Sequence, residues 1–193
     1  RPENTAVPFL RDTIRSRPGE IVLLSIGPLS NLAILFALDP EIPFLLRGLI
    51  SMAGCYLSGG TEWNCVVDPV ATAMVFGSSR TEHRLVGLDV TQQVTMSKSE
   101  VQERFRGPLL ENVKLQAEAW FAKADRITFH DPLAAALIFE PDLCRFKLGQ
   151  VKACLDREGC GGTRFREEVG SDLVATSVDV ASFFGEYFSV VAN

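Results

Sequence analysis

The chain has 193 residues, 47% hydrophobic and 22% charged, a composition ordinary for a globular protein and enough for one domain with a sizeable core over 1–193. Its 19 basic and 24 acidic side chains leave a net charge of −5 with no basic stripe, which argues against nucleic acid or an anionic membrane as main partner. The longest apolar runs, such as "IVLLSIG" and "ISMAG", are too short and too interrupted to span a bilayer.

In chain order, an amphipathic helix is predicted over 5–16. It gives way at Pro18-Gly19 to "EIVLLSI" (20–26), suited to a buried parallel strand. "GPLSNLAILFALDP" reads as a turn and a helix, with Pro28 near the helix start. A second buried strand, "LISMAG" (49–54), leads into the loop "CYLSGGTEWN". There Glu62 and Asn64, two apart in an extended stretch, are expected to face one way, with Trp63 turned into the protein body. Asp68-Pro69 opens a third helix, through about Phe76, and "HRLVGLDV" (83–90) is a third strand.

Residues 97–126 read as helical with a break near Gly107-Pro108, and "FHDPLAAALIF" (129–139) as a helix with Asp131 as N-cap and Pro132 at its first position. The last fifty residues hold the strand-like runs "FKLGQVKACL" and "LVATSVDV", a glycine-rich hairpin turn at 159–162, and a closing "ASFFGEYF". No internal repeat and no low-complexity linker interrupts the pattern. Strands alternating with helices predict an α/β fold with a mostly parallel sheet flanked by helices. Ligands in such folds gather at the C-terminal ends of the strands, which marks Ile26-Gly27, the stretch 52–64 and His130-Asp131.

Several familiar chemistries are missing. No G-x-G-x-x-G follows a strand, no G-x-x-x-x-G-K-[ST] loop awaits a phosphate, and no G-x-S-x-G elbow carries a nucleophile. The five cysteines (Cys55, Cys65, Cys144, Cys154, Cys160) form no C-x-x-C pair, and only His83 and His130 could join them. A zinc site is therefore not expected, and free thiols in the cytosol are. Singly, the remaining candidates have plain explanations: Asp131 as a helix cap, His130 as a packed histidine, Glu62 and Asn64 as loop surface, Met52 as core.

Together, "IGPLSNLAILFALDPEI", "SMAGC", "TEWNCVVDPVAT", "VGLDVTQQV" and "FHDPLAAA" resemble, in order and spacing, the inosine–uridine-preferring nucleoside hydrolases, which cleave the N-glycosidic bond of ribonucleosides. The resemblance runs over nearly the whole chain and implies their Rossmann-like fold and a ribonucleoside substrate. It implies a calcium ion held by aspartates, by the carbonyl of Ile26 before the G-P-L-S-N turn, and by Asp131 of the H-D-P motif. It also implies a ribose grip from Glu62 and Asn64, with Met52 lining the sugar, and a catalytic pair: Asp131 at the metal and His130 over the base, protonating it as it leaves. A homo-oligomer, dimer or tetramer, is the implied assembly. Trp120 and Phe121 are open to two roles, stacking on a base or packing in a helix core.

The chain departs from the family in two places. The D-x-D-x-G-x-D-D loop that supplies most calcium ligands and the water-activating base has no counterpart, and the sequence contains no Asp-Asp pair. The loop "GCYLSGGT" is short, with Gly59-Gly60 near the place of the family's ribose-touching asparagine. The expectation is a fold lacking its N-terminal third, with little calcium binding and little turnover by this chain. The alternative is a non-catalytic relative that binds a nucleoside or a partner chain.

Overall fold

The computed structural model describes residues 5–78, 82–156, 159–167 and 170–191. Ten α-helices are found among them, besides a single 3-10 turn at Pro141–Leu143: α1 (Ala6–Ser16), α2 (Ser30–Leu38), α3 (Ile42–Leu45), α4 (Trp63–Val67), α5 (Pro69–Gly77), α6 (Leu88–Thr91), α7 (Lys98–Arg104), α8 (Gly107–Phe121), α9 (His130–Ala136) and α10 (Val180–Val191). The strands are β1 (Val22–Ser25), β2 (Gly48–Met52), β3 (His83–Val86), β4 (Thr95–Ser97), β5 (Arg126–Thr128), β6 (Cys144–Ala153), β7 (Thr163–Arg166) and β8 (Asp172–Val178).

Six strands form one sheet in the order β1-β2-β3-β8-β6-β7. β1, β2, β3 and β8 run parallel, with Leu24 opposite Ile50, Ser51 opposite Leu85 and His83 opposite Asp172. β6 pairs antiparallel with both β8 and β7. This is the expected mostly parallel α/β sheet, closed on one side by a reversed ribbon. The glycine-rich stretch 159–162 is the expected hairpin connection, since Ala153 stands opposite Thr163.

Side-chain alternation along the central strands divides the core into two layers. Leu49, Leu85 and Val174 pack with α1, α2, α3 and α5 on one face. Ile50, Met52, Val86 and Ala175 pack on the other with α7, α8, α9 and α10, where Phe129, Phe183, Phe184 and Tyr187 meet edge to face. β2 is buried on both faces, as a near-continuous apolar run must be in a parallel sheet.

Four local readings are corrected. The segment 83–90 is a strand only through Val86; Gly87 then turns the chain into α6. Asp131 lies inside α9, whose N-cap is Phe129, because Asp131 already has helical backbone. The region 97–126 breaks where Gly107 takes φ +85° and Pro108 starts α8, but its flanks, β4 and β5, pair as a small antiparallel ribbon. Trp63 is 75% exposed: it opens α4, and the helix turns its ring outward.

Candidate active site

β2 and β3 end side by side on two glycines. Gly54 has φ +83°, and a Cβ there would strike the Tyr56 ring. A Cβ on Gly87 would strike the Gly54 carbonyl, which accepts the Leu88 N–H at 2.9 Å. Only glycine at these positions lets the strand ends close to this distance.

The loop that follows Gly54 is held from two sides. The Asp89 carboxylate on α6 accepts the main-chain N–H groups of Tyr56, Leu57 (3.2 Å) and Ser58 (2.9 Å), and the Ser58 hydroxyl at 2.9 Å. Burial pushes the Asp89 carboxyl up, but these donors outweigh it and hold it below its ordinary range. From the other side, the Thr163 hydroxyl accepts from Cys55 N–H and donates to the Cys55 carbonyl, both at 2.9 Å. The 159–162 turn closes over the loop through a bridge between Thr61 and Gly162.

Glu62 and Asn64 do converge, though by helix capping rather than strand alternation. Glu62 is the N-cap of α4, and its carboxylate accepts Asn64 N–H at 2.9 Å, Cys65 N–H at 3.2 Å and Gly54 N–H at 3.1 Å. Asn64 donates Nδ2 to the Met52 carbonyl at 3.0 Å, with the Met52 sulfur 3.8 Å from the same nitrogen. All three residues are buried. Asn64 spends an amide hydrogen on this bond, so Oδ1 keeps its acceptor capacity, and the carboxylate has more lone-pair sites than its three donors use. Acceptors in such a place suit a ligand that brings hydroxyl hydrogens. Behind them, burial first and then the Glu62 charge push the Cys65 thiol up to about 12, so it stays protonated.

His130 and Asp131 open α9 and lie within electrostatic reach of Glu62. Burial lowers the pKa of His130 below the ordinary histidine value, against the pull of Asp131 and Glu62. Burial also raises Asp131 above the ordinary carboxylate value; His130 opposes the shift and Glu62 adds to it. His130 Nδ1 sits 2.7 Å from the Thr91 hydroxyl on α6.

Ile26 follows β1 at the C-terminal end of the sheet and is 47% exposed. The neighbouring G-P-L-S-N turn is tied to α5: Ser30 donates to Asp68 at 2.6 Å, and Asp68 caps Ala71 N–H at 3.0 Å. Calcium takes roughly six to eight oxygens. The Ile26 carbonyl and the Asp131 carboxylate offer a fraction of that, and among the described residues no three His, Cys, Asp or Glu side chains gather where they could hold a metal. These residues by themselves do not fit a calcium ion.

Sequence reasoning missed Asp89 and Thr91. Both lie in "VGLDVTQQV", and the signal was their polar character within an apolar strand-end segment. Phe121 is a core residue, whereas Trp120 is 58% exposed and donates its indole N–H to the Arg126 carbonyl at 2.8 Å, so helix-core packing does not describe it. A cleft of about 360 Å³, lined by Phe76, Gly77, Val151 and Asp172, lies at the opposite end of the strands and contains none of the candidate residues. No helix of the described residues is long and apolar enough to cross a membrane.

Comparison with known proteins gives a consistent result. The family described as inosine-uridine preferring nucleoside hydrolase matches residues 1–185. A uridine nucleosidase of Arabidopsis thaliana is 28% identical over 78% of this chain and 48% of its own length. A pyrimidine-specific ribonucleoside hydrolase of Escherichia coli is 28% identical over 95% of this chain and 64% of its own. The chain thus spans about half to two thirds of the length of these relatives. Among solved structures, an inosine-guanosine nucleoside hydrolase superposes with a TM-score of 0.85 at 21% identity, covering 100% of this chain and 69% of that one. A purine-preferring ribonucleoside hydrolase from Gardnerella vaginalis gives 0.84 at 24% identity, over 97% of this chain and 65% of that one. At these identities the structural likeness speaks for the fold.

Proposed function

This chain belongs to the inosine-uridine preferring nucleoside hydrolases, and on that premise we propose that it carries the sugar-holding and base-facing side of a site that hydrolyses the N-glycosidic bond of ribonucleosides. The observation that carries the reading is the convergence of Glu62 and Asn64 on the end of β2, Glu62 through Gly54 N–H and Asn64 through the Met52 carbonyl. The charge of the same carboxylate acts on both His130 and Asp131.

Departure of the base breaks the C1′–N bond, sends the electron pair to the base and builds positive charge on the ribose. Asn64 Oδ1 and the Glu62 carboxylate accept ribose hydroxyls and stabilise that charge where it develops. Because their own geometry is fixed by backbone hydrogen bonds, they need no rearrangement as the charge grows. Met52 lines the sugar, and His130 faces the leaving base, to which its imidazolium form donates the proton. Asp131 and the Ile26 carbonyl are the two oxygens this chain would offer toward a calcium ion, too few to hold one by themselves, so no step here depends on the metal. The substrate is a ribonucleoside, the setting cytosolic, and the assembly a dimer or tetramer.

With so few metal oxygens, this chain turns over little by itself. The shortage favours a second reading, a relative that binds nucleosides without cleaving them. Both are tested by presenting inosine and uridine to the 193-residue chain, with and without calcium, and following heat of binding and free ribose. Binding without ribose release agrees with the sugar-holding role. Absence of binding to either nucleoside defeats it, and calcium-dependent ribose release defeats the assignment of low turnover.

A further inference from the structure

The segment α6 is where the two halves of the candidate site meet. Its Asp89 clamps the loop leading to Glu62, and its last residue, Thr91, reaches His130 across 39 residues of sequence. Both backbones at that contact are fixed. Thr91 N–H donates to the Gly87 carbonyl at 3.1 Å, and Phe129 N–H, one residue before the histidine, donates to the Val94 carbonyl at 2.8 Å. The hydroxyl and the ring therefore meet without freedom to drift apart.

We infer that Thr91 is a positioning residue for His130: its hydroxyl donates to Nδ1, orients the ring, and leaves the proton of the neutral imidazole on Nε2. The direction follows from hydrogen-bond accounting. Thr91 is fully buried, and among the described residues His130 Nδ1 is the partner of its hydroxyl. If Nδ1 carried the proton it would donate to Oγ1, and the hydroxyl hydrogen would be buried with no acceptor among the described residues. If the hydroxyl donates, both groups are satisfied, and buried polar groups are overwhelmingly found satisfied. Nε2 then presents its N–H away from Thr91. The role of that N–H toward a departing base rests on the nucleoside hydrolase reading; the hydrogen bond itself does not.

The chain has only two histidines, His83 and His130, so both imidazoles can be followed individually. His83 is buried against Ser51, with Nε2 2.8 Å from its hydroxyl, and serves as an internal report on the fold. The experiment is nitrogen-detected imidazole NMR on the isotope-labelled chain, without nucleoside, at one mildly alkaline pH where the rings are neutral. In the unsubstituted chain, His130 Nε2 should resonate as a protonated nitrogen and Nδ1 as an unprotonated, hydrogen-bonded one. Thr91→Val should move Nδ1 toward the position of a bare ring nitrogen while the His83 signals stay in place, and Thr91→Ser should restore it. A proton on Nδ1 of His130 in the unsubstituted chain overturns the inference even if Thr91→Val does not fold. So does an Nδ1 signal indifferent to Thr91→Val. Failure of inosine and uridine to bind would instead defeat the hydrolase reading and leave this hydrogen bond standing.

Discussion

Asn64 and Met52, twelve residues apart, are joined by a buried hydrogen bond in which the amide of one meets the main-chain carbonyl of the other at 3.0 Å. The bond fixes which amide atom remains for a ligand. Asn64→Ala removes the carbonyl's partner and is expected to cost about 1–3 kcal/mol of stability. Asn64→Asp should cost more, because it sets acceptor against acceptor and adds a buried charge within reach of the Glu62 carboxylate. Thermal or urea melts of the two variants check the order, and an Asp variant as stable as the Ala variant would contradict the bond's polarity.

Asp89 is expected to give the chain an acid-sensitive loop. Its folded pKa lies below the ordinary value despite burial, because the loop donors outweigh desolvation. The unfolded carboxyl titrates near the model-peptide value of about 3.9. The stabilisation is therefore fully present above that value and is lost as pH falls through the lower folded pKa. Asp89→Asn should cost about 2–3 kcal/mol at neutral pH, since hydrogen bonds to a charged acceptor are the stronger kind. The variant should also lose stability less steeply than the parent from about pH 5 downward. Parallel melts across that range test both parts.

Calcium titration of the chain by calorimetry should show no site tighter than about 10⁻³ M, the weak end of protein calcium sites. Asp131→Asn should leave the titration unchanged. Micromolar binding that Asp131→Asn abolishes would mean that Asp131 belongs to a complete oxygen shell.

Trp63 should contribute little to stability despite its place between two site residues. With 75% of its surface exposed, Trp63→Ala should change unfolding free energy by no more than about 0.5 kcal/mol. Trp120 is exposed as well, at 58%. Native fluorescence should therefore resemble that of water-facing indoles and be quenched readily by acrylamide. A blue-shifted, protected emission would contradict this orientation.

The sequence by itself determined the layers of this protein. Apolar runs at 20–26 and 49–54, helices between them and breaks at Pro18-Gly19 and Gly107-Pro108 are local facts, because burial on one or both faces imposes a period on neighbouring residues. The ordered motifs likewise pointed to Met52, Glu62, Asn64, His130 and Asp131. What only the tertiary structure decided is which distant polar atoms meet. Glu62, expected in an extended stretch of loop, instead caps a helix while gripping Gly54. Trp63 was expected inside and turns outward. Asp89 reaches back 31 to 33 residues to hold a loop, Thr91 meets His130 39 residues on, and Thr163 secures Cys55 from 108 residues away. Periodicity records that a side chain is buried, but its hydrogen-bond partner is set by strand register and by how the chain turns at the sheet's end, and those are properties of the assembled fold.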